Sequence, residues 1–232
     1  QNNIAVYASE KDPEIIESIN SDISGINEIS ALSGQFAAMI QELDEYMKNL
    51  ISTTEELKDT KIMAQELGEQ AEKDALTGIR NRHAYDNEVK KIEWNMQGKG
   101  FREFGIAMVD LNYLKRINDT FGHDKGNIAI RKICDIVCRN FSHSPVFRIG
   151  GDEFVVILEN EDYENAEELI RTFKSKLRTI QEDASLEPWE QVSAAIGWSL
   201  FDENVDSAVQ NVFKRADELM YEDKKAMKAM RD

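Results

Sequence analysis

Glycine and acidic residues in the second half of the sequence have the types and spacing that suit phosphate chemistry. Gly150 and Gly151 lead directly into Asp152 and Glu153, and a run of apolar residues follows. Glycines at a tight turn tolerate positive φ and leave room for a large ligand beside the backbone. Asp110 lies at the end of a second apolar run. Acids at the ends of two neighbouring strands can hold Mg²⁺, which prefers hard oxygen ligands and keeps positions open for substrate phosphates.

The ordinary interpretation of the same residues is a hairpin turn with solvated acids. For an isolated Gly-Gly-Asp-Glu sequence that interpretation is often correct. Here Asp110 supplies a further acid after a separate apolar run, which favours a binding site over a plain turn.

The elements that position these acids alternate along the chain from residue 73 onward. The predicted strands are residues 103–111, 145–149, 153–158 and 191–200, and the predicted helices are residues 81–97, 163–182, 206–229 and a stretch ending near 140. Residues 74–78 (Asp-Ala-Leu-Thr-Gly) predict a turn that ends the preceding helix. This order predicts an α/β (α+β) domain over residues 73–232, with one mixed sheet flanked by helices.

The N-terminal segment, residues 1–72, has a different pattern. From residue 29 to residue 72 apolar or small residues recur at alternating steps of three and four, which keeps one seam facing a partner helix in a parallel coiled coil. The series is Leu32, Phe36, Met39, Leu43, Tyr46, Leu50, Thr53, Leu57, Thr60, Ala64, Leu67 and Ala71. The alternative is a helix packed on its own domain, but the persistence of the repeat favours a signalling and dimerisation segment.

Composition and charge exclude several classes of partner. The 232 residues are 41% hydrophobic and 31% charged, and the net charge of −16 argues against sequence-independent binding to DNA, RNA or anionic lipid. No run of 18 apolar residues occurs, although the chain opens without Met and a membrane span upstream of Gln1 stays open. Cys134 and Cys138 lie four apart on a predicted helix and are interpreted as reduced thiols in a cytoplasmic protein.

Residues 150–154 (Gly-Gly-Asp-Glu-Phe) are identical to the signature of the GGDEF family, the diguanylate cyclases. Four further stretches resemble other motifs of that family in the same order: residues 74–82, 110–119, 121–127 and 216–224. The resemblance covers residues 74–228. It implies a palm-like mixed sheet flanked by helices, related to the class III nucleotide cyclases.

The resemblance also implies metal and catalytic roles. Asp110 and Asp152 are expected to hold the metals by carboxylate and Leu111 by its carbonyl, with two Mg²⁺ ions per active site and Mn²⁺ as a substitute. Asp152 is expected to help deprotonate the attacking 3′-hydroxyl. Together with Asp110 and Glu153 it forms the expected catalytic set.

Substrate contacts follow from the same resemblance. Lys115 and Lys224 are expected at phosphate oxygens, Asn118 at the guanine base, and Lys228 stands where the family often has a phosphate-binding Arg. The expected substrate-binding residues are Lys115, Asn118, Asn127, Gly150, Gly151, Lys224 and Lys228. The implied reaction joins two GTP molecules into cyclic di-GMP and releases pyrophosphate. Each domain binds one GTP, so the expected active form is a homodimer.

A second resemblance concerns the N-terminal segment. Residues 27–32 (Asn-Glu-Ile-Ser-Ala-Leu), with the apolar positions that follow, resemble the second helix of a HAMP signalling module. Residues 13–24 are the corresponding candidate for the tail of its first helix. This resemblance implies the cytoplasmic part of an inner-membrane receptor, whose packing changes bring two cyclase domains together or apart.

Two departures from the GGDEF pattern affect function. Asn127 stands where the family usually has Asp in the base pocket, and an amide cannot accept both hydrogen bonds that guanine N1–H and N2–H₂ donate. A product containing adenine, such as cyclic AMP-GMP, is therefore an alternative. Residues 141–144 (Phe-Ser-His-Ser) replace the Arg-x-x-Asp of the family's inhibitory product site, so we expect no such site here. A third interpretation is a non-catalytic GGDEF module that binds nucleotide and signals to a partner.

Overall fold

The computed structural model describes the backbone of residues 13–97 and 103–229, and the side chains of residues 26–63, 68, 70–96 and 103–229. The first helix, α1, spans Pro13–Ala71. The elements that follow are β1 (Arg80–Asn81), α2 (Arg82–Gln97), β2 (Gly105–Leu111), α3 (Leu114–Phe121), α4 (His123–Asn140), β3 (Val146–Arg148), β4 (Glu153–Leu158), α5 (Asn160–Glu164), α6 (Ala166–Glu182), β5 (Ala194–Leu200) and α7 (Val209–Ala229).

One mixed sheet organises the second part of the chain, as predicted. Its strand order is β1-β3-β4-β2-β5, with β1 parallel to β3 and the other neighbours antiparallel. Every residue of β2 is buried. A strand covered on both faces needs apolar residues at nearly every position, and Asp110 is the exception.

The pleat of β2 divides its side chains between two hydrophobic cores. Ala107 and Val109 belong to the core formed with α4 and α6, whereas Ile106 and Met108 belong to the core formed with α2 and α7. Because side chains alternate along a strand, Asp110 shares the face of Ile106 and Met108, which is the α7 face. This alternation decides which helix can reach the acid.

Some predicted boundaries needed correction. The helix predicted to end near residue 140 is two helices, because Gly122 adopts φ 87° between α3 and α4. The helix predicted over residues 163–182 is also two, α5 and α6, which meet at Asn165. The last strand begins at Ala194, three residues after the predicted start.

The N-terminal helix also corrects one part of the HAMP-like assignment. Residues 13–24 and 27–32 were expected in two different helices, but both lie in the uninterrupted α1. No proline follows Pro13 within α1, so nothing removes a backbone hydrogen bond or forces a kink there. The long N-terminal helix itself is confirmed. Contacts divide the chain into two compact units at residues 66 and 67, and the predicted division at residues 72 and 73 stays a prediction.

The described side chains of α1 leave their apolar positions exposed. All large apolar side chains between residues 26 and 63 are at least 47% exposed: Ile26, Ile29, Leu32, Phe36, Met39, Ile40, Leu43, Tyr46, Met47, Leu50, Ile51, Leu57, Ile62 and Met63. None of the helices in the described ranges has the apolar stretch that a bilayer crossing requires. Exposed apolar surface of this extent marks an interaction surface.

Candidate active site

The two acidic motifs meet where β2 and β4 pair. Asp110 lies directly opposite Glu153 in the antiparallel register. Just beyond that pair, the backbone N–H of Leu111 donates a hydrogen bond to the carbonyl of Asp152 at 2.9 Å. The predicted juxtaposition of Asp110 with the residues after the glycine pair is therefore present in the structure.

The glycine turn before β4 is held tightly on one side and open on the other. The backbone N–H groups of Ile149 and Gly150 donate to the carbonyl of Glu153 at 3.0 and 3.4 Å. A Cβ atom on Gly150 would lie 2.5 Å from Oε2 of Glu153, so a side chain there would displace that carboxylate. A Cβ on Gly151 would meet nothing within 4 Å, which leaves open space beside the backbone for a ligand.

The acidic side chains where β2 and β4 pair have few positively charged neighbours. Burial raises the pKa of Asp110, and the ammonium of Lys224 offsets only part of that increase. Burial also raises the pKa of Glu153, and the neighbouring charges of Asp110, Asp152 and Asp217 raise it further. Carboxylates that burial and each other's charge destabilise are suited to binding cations.

Lys224 comes to the acids from the last helix, 114 residues further along the chain. Its Nζ lies 2.6 Å from Oδ1 of Asp110. The helix approaches β5 closely enough for this contact because residue 197 is glycine. A Cβ there would lie 2.0 Å from the backbone nitrogen of Met220 and 2.3 Å from the carbonyl oxygen of Ala216. Positive charge on Lys228, one turn later, also acts on Asp110.

A second carboxylate holds the opposite side of the glycine turn. Asp74 Oδ1 accepts hydrogen bonds from the backbone N–H of Thr77 at 2.9 Å, from its hydroxyl at 2.6 Å and from Nη1 of Arg148 at 2.9 Å. Nη2 of Arg148 then donates to the carbonyl of Gly151 at 2.7 Å. The predicted turn at the end of α1 is thereby linked to the glycine turn through one guanidinium group.

Comparisons with known proteins identify the family of this chain. The family model described as "Diguanylate cyclase, GGDEF domain" matches residues 71–230. The chain belongs to the GGDEF domain family. It is 25% identical over 199 residues to diguanylate cyclase A of Treponema denticola, covering 83% of this chain and 52% of that protein. It is 40% identical over 96 residues to diguanylate cyclase DgcS of Shewanella oneidensis, covering 41% of this chain and 32% of that protein.

Solved GGDEF structures share the fold. The coiled coil and GGDEF domain of DgcB from Caulobacter crescentus, in complex with c-di-GMP, superposes with a TM-score of 0.64 at 22% identity, covering 77% of this chain and 93% of that one. Diguanylate cyclase SiaD in complex with its activator SiaC, from Pseudomonas aeruginosa, has a TM-score of 0.64 at 21% identity, covering 96% and 82%. The predicted mixed sheet flanked by helices is confirmed. The chain spans about half or less of the first curated relatives it matches.

The candidate base-pocket residues of this GGDEF domain lie on α3 and α4. A Cβ on Gly126 would lie 1.9 Å from Oδ1 of Asn118, so the Asn118 side chain rests directly on the glycine that precedes Asn127. Asn118 therefore contacts α4 at the residue before Asn127. Lys115 lies in the first turn of α3 and forms no ion pair with any residue whose side chain the structure describes.

The metal ligands expected for a GGDEF domain fit the donors that are present. Asp110 and Asp152 offer carboxylates, and Leu111 directly follows Asp110 at the end of β2. No group of three or more His, Cys, Asp or Glu side chains in the described ranges is arranged to hold a metal by itself. Mg²⁺ commonly takes one or two protein carboxylates and shares its other positions with water and substrate phosphates. The ammonium of Lys224 on Asp110 is a cation at the same carboxylate.

The positions of the family's inhibitory site are occupied by residues with local structural partners. Phe141 is fully buried. The backbone N–H of His143 donates to Oδ2 of the buried Asp162 at 3.0 Å, and the hydroxyl of Ser144 accepts from the backbone N–H of Glu159 at 3.1 Å. Loss of product inhibition at these positions stays a prediction.

Two residues of this site were not given roles from the sequence. Arg148 lies two residues before the signature, and only its contact with Asp74, 74 positions away, shows what it holds. Asp217 lies within the last family motif and adds negative charge near Glu153. The cysteines take no part in the site: Cys134 is buried, and both thiols are free.

Proposed function

We propose that this chain is a diguanylate cyclase domain that condenses two GTP molecules into cyclic di-GMP and releases pyrophosphate. The observation that carries the proposal is the meeting of Asp110, Glu153 and Lys224 beside the open Gly151 backbone. Lys224 pairs with Asp110, but the partly buried Glu153 has no ion-pair partner among the described residues and lies near Asp110, Asp152 and Asp217, so the cluster carries an excess of negative charge.

The chemistry is assigned to the chain's own side chains as follows. Mg²⁺ held by Asp110, Asp152 and the Leu111 carbonyl would offset phosphate charge and lower the pKa of the attacking 3′-hydroxyl. Asp152 accepts the proton from that hydroxyl. Lys115 and Lys224 stabilise the negative charge that develops on the phosphoryl oxygens and on the leaving pyrophosphate.

The base and the backbone contacts complete the substrate site. Asn118 hydrogen-bonds the purine, Asn127 is the second candidate contact to the base, and Gly150 and Gly151 let the triphosphate approach the backbone. Lys228 adds positive charge one turn beyond Lys224.

Two such domains must face one another, because each holds one GTP. We assign dimerisation to the exposed apolar series of α1, which a second copy of the chain would cover in a parallel coiled coil. The domain would then be the cytoplasmic output of a dimeric signalling receptor, with changes in helix packing setting the distance between the two sites.

The first experiment is a product assay by mass spectrometry on the purified chain with Mg²⁺ and an equal mixture of GTP and ATP. We expect cyclic di-GMP and pyrophosphate from the wild type. Asp152→Asn, which keeps the size of the side chain but loses the base and metal ligand, should give neither. Bound nucleotide without any cyclic product would overturn the proposal in favour of a non-catalytic nucleotide-binding module.

Asn127 favours a second candidate, a cyclase with altered base choice. One guanine donor left unpaired in a buried pocket costs about 1–3 kcal/mol, which corresponds to roughly five- to 150-fold in affinity. We expect Asn127→Asp to raise kcat/KM for GTP and to lower any incorporation of AMP. If the mixed-substrate assay gives cyclic AMP-GMP from the wild type, the second candidate replaces the first.

A further inference from the structure

The helix that carries Lys224 has a second polar anchor at the preceding residue. Oδ2 of Asp223 accepts a hydrogen bond from the backbone N–H of Ile196 at 3.0 Å, and Oδ1 accepts one from Nζ of Lys174 at 2.6 Å. The Asp223 side chain is only 21% exposed, so its charge has lost most of its water. Both carboxylate oxygens are therefore committed to protein partners.

The position of this anchor in the sheet is informative. Ile196 lies on β5, the strand at one end of the sheet, where backbone N–H groups facing outward lack a neighbouring strand. Asp223 supplies the acceptor that such a strand would have provided. Lys174 comes from α6, which packs on the opposite face of the sheet from α7. One carboxylate thus joins α7, the edge of β5 and α6.

The Asp223–Ile196 hydrogen bond lies next to Asp110 in the strand register. Ile196 pairs with Val109, and the next pair along the strands is Ala195 with Asp110. Two consecutive residues of α7 therefore reach two adjacent strands at one level, Asp223 to β5 and Lys224 to Asp110 on β2. The close contact at Gly197 sets how deeply α7 sits, but a backbone contact alone does not prevent sliding along the strand.

We propose that Asp223 is a positioning residue that fixes the register of α7 on β5 and thereby places the Lys224 ammonium at the phosphate site. Rise along an α-helix is about 1.5 Å per residue, so a shift of one residue would carry Lys224 out of contact with Asp110. The proposal rests on the proposed function only in taking Lys224 as a ligand of the triphosphate.

A double-mutant cycle between Asp223→Ala and Lys224→Ala tests whether the two residues act as one unit. The readouts are kcat and KM for GTP, and the Kd of Mg²⁺ plus a GTP analogue that cannot transfer its α-phosphoryl group, measured by calorimetry. Misplacing a catalytic group by about 1 Å can cost on the order of 100-fold, and we expect Asp223→Ala to cost about tenfold in kcat and several-fold in analogue affinity. In the Lys224→Ala background, Asp223→Ala should lower neither kcat nor analogue affinity any further.

The controls separate positioning from simple stabilisation. Asp223→Asn keeps an oxygen for the Ile196 N–H and should stay within about threefold of wild-type activity. Lys174→Met breaks only the ion pair, so it should fold even if Asp223→Ala does not. It should lower kcat and analogue affinity by less than Asp223→Ala does. In the Lys224→Ala background it should have no effect on either. Thermal melting defines a temperature at which every variant is folded.

Two results would overturn the proposal. Equal losses from Asp223→Ala with and without Lys224 would mean that Asp223 acts on the fold rather than through the lysine. No loss in a folded Asp223→Ala variant would mean that Gly197 packing alone sets the register. If the wild type makes no cyclic product, the proposed function fails, and the analogue-binding cycle still decides the role of Asp223.

Discussion

Two carboxylates lie near the glycine turn, the half-buried Asp74 and the buried Asp110, and their surroundings differ in one decisive respect. Asp74 has three hydrogen-bond donors on one oxygen, and although burial raises its pKa, Thr77 and Arg148 lower it by more, so the pKa of Asp74 lies below its ordinary value. Asp110 has Lys224 on Oδ1, and burial keeps the pKa of Asp110 above its ordinary value. The first acid is paired for stability, and the second keeps binding capacity.

Both acids are connected to the same turn through one intermediate residue each. Asp74 reaches the Gly151 carbonyl through Arg148, and the strand of Asp110 reaches the Asp152 carbonyl through Leu111 N–H. The same turn therefore joins an ion pair that lowers the pKa of Asp74 to an acid cluster in which burial and like charges raise the pKa of Glu153.

Asp152→Ala should separate activity from stability most clearly. We expect cyclic di-GMP formation to fall by about 10²–10³-fold, because an acid that acts on the reacting groups is lost. The melting temperature should stay equal or rise, because one like charge near Glu153 is removed. Asp135→Ala, which breaks the exposed ion pair with Arg139, is the matched control and should change neither. A large drop in melting temperature would mean that Asp152, like Asp74, stabilises the fold.

Asp74→Ala should show the opposite behaviour. The Arg148 side chain is 11% exposed and its Nε has no hydrogen-bond partner among the described residues, so losing Asp74 leaves the guanidinium poorly satisfied. We expect a loss of about 2–3 kcal/mol in the free energy of unfolding, measured in urea with the Asp135→Ala control. A loss below about 0.5 kcal/mol, which is roughly the value of an exposed ion pair, would contradict the comparison.

Lowering the pH should remove the stabilisation that Asp74 contributes to the folded chain. Its pKa is lower in the folded chain than in the unfolded chain, so the stabilisation is complete above the unfolded value and disappears as pH falls through the folded value. The difference in unfolding free energy between wild type and Asp74→Asn should therefore be constant near neutral pH and shrink below about pH 4. A difference that grows on acidification would reverse the assigned sign.

Glu153→Gln tests the acid cluster with the smallest expected effect. Without divalent cations the amide removes repulsion with Asp110, Asp152 and Asp217, so the melting temperature should rise by about 1–3 °C. Mg²⁺ should stabilise the wild type more than the variant. A lower melting temperature in metal-free buffer would show that Glu153 has a partner that offsets its charge.

Much of the fold could be predicted from local pattern. The apolar runs predicted β2 and β4, and the glycine pair predicted the turn between β3 and β4. Element ends were less accurate: Gly122 split one predicted helix, because a break of that kind depends on a single backbone conformation. For the site, the motifs were found, but the contacts of Arg148 and Asp223 were not predicted, because their partners lie 74 and 27 positions away.

The sequence by itself determined which residues could do chemistry: acids after apolar runs, glycines before them, and lysines at motif positions. Only the tertiary structure decided which of them meet. The strand order places β2 between β4 and β5, and the pleat turns Asp110 toward α7, so a lysine 114 residues away reaches it. Gly197 of β5 lets α7 approach that strand, and Asp223 of α7 accepts a hydrogen bond from the strand's edge; neither contact exists until the layers are packed. Spacing along a chain specifies local conformation, whereas contacts across a sheet depend on how distant elements pack.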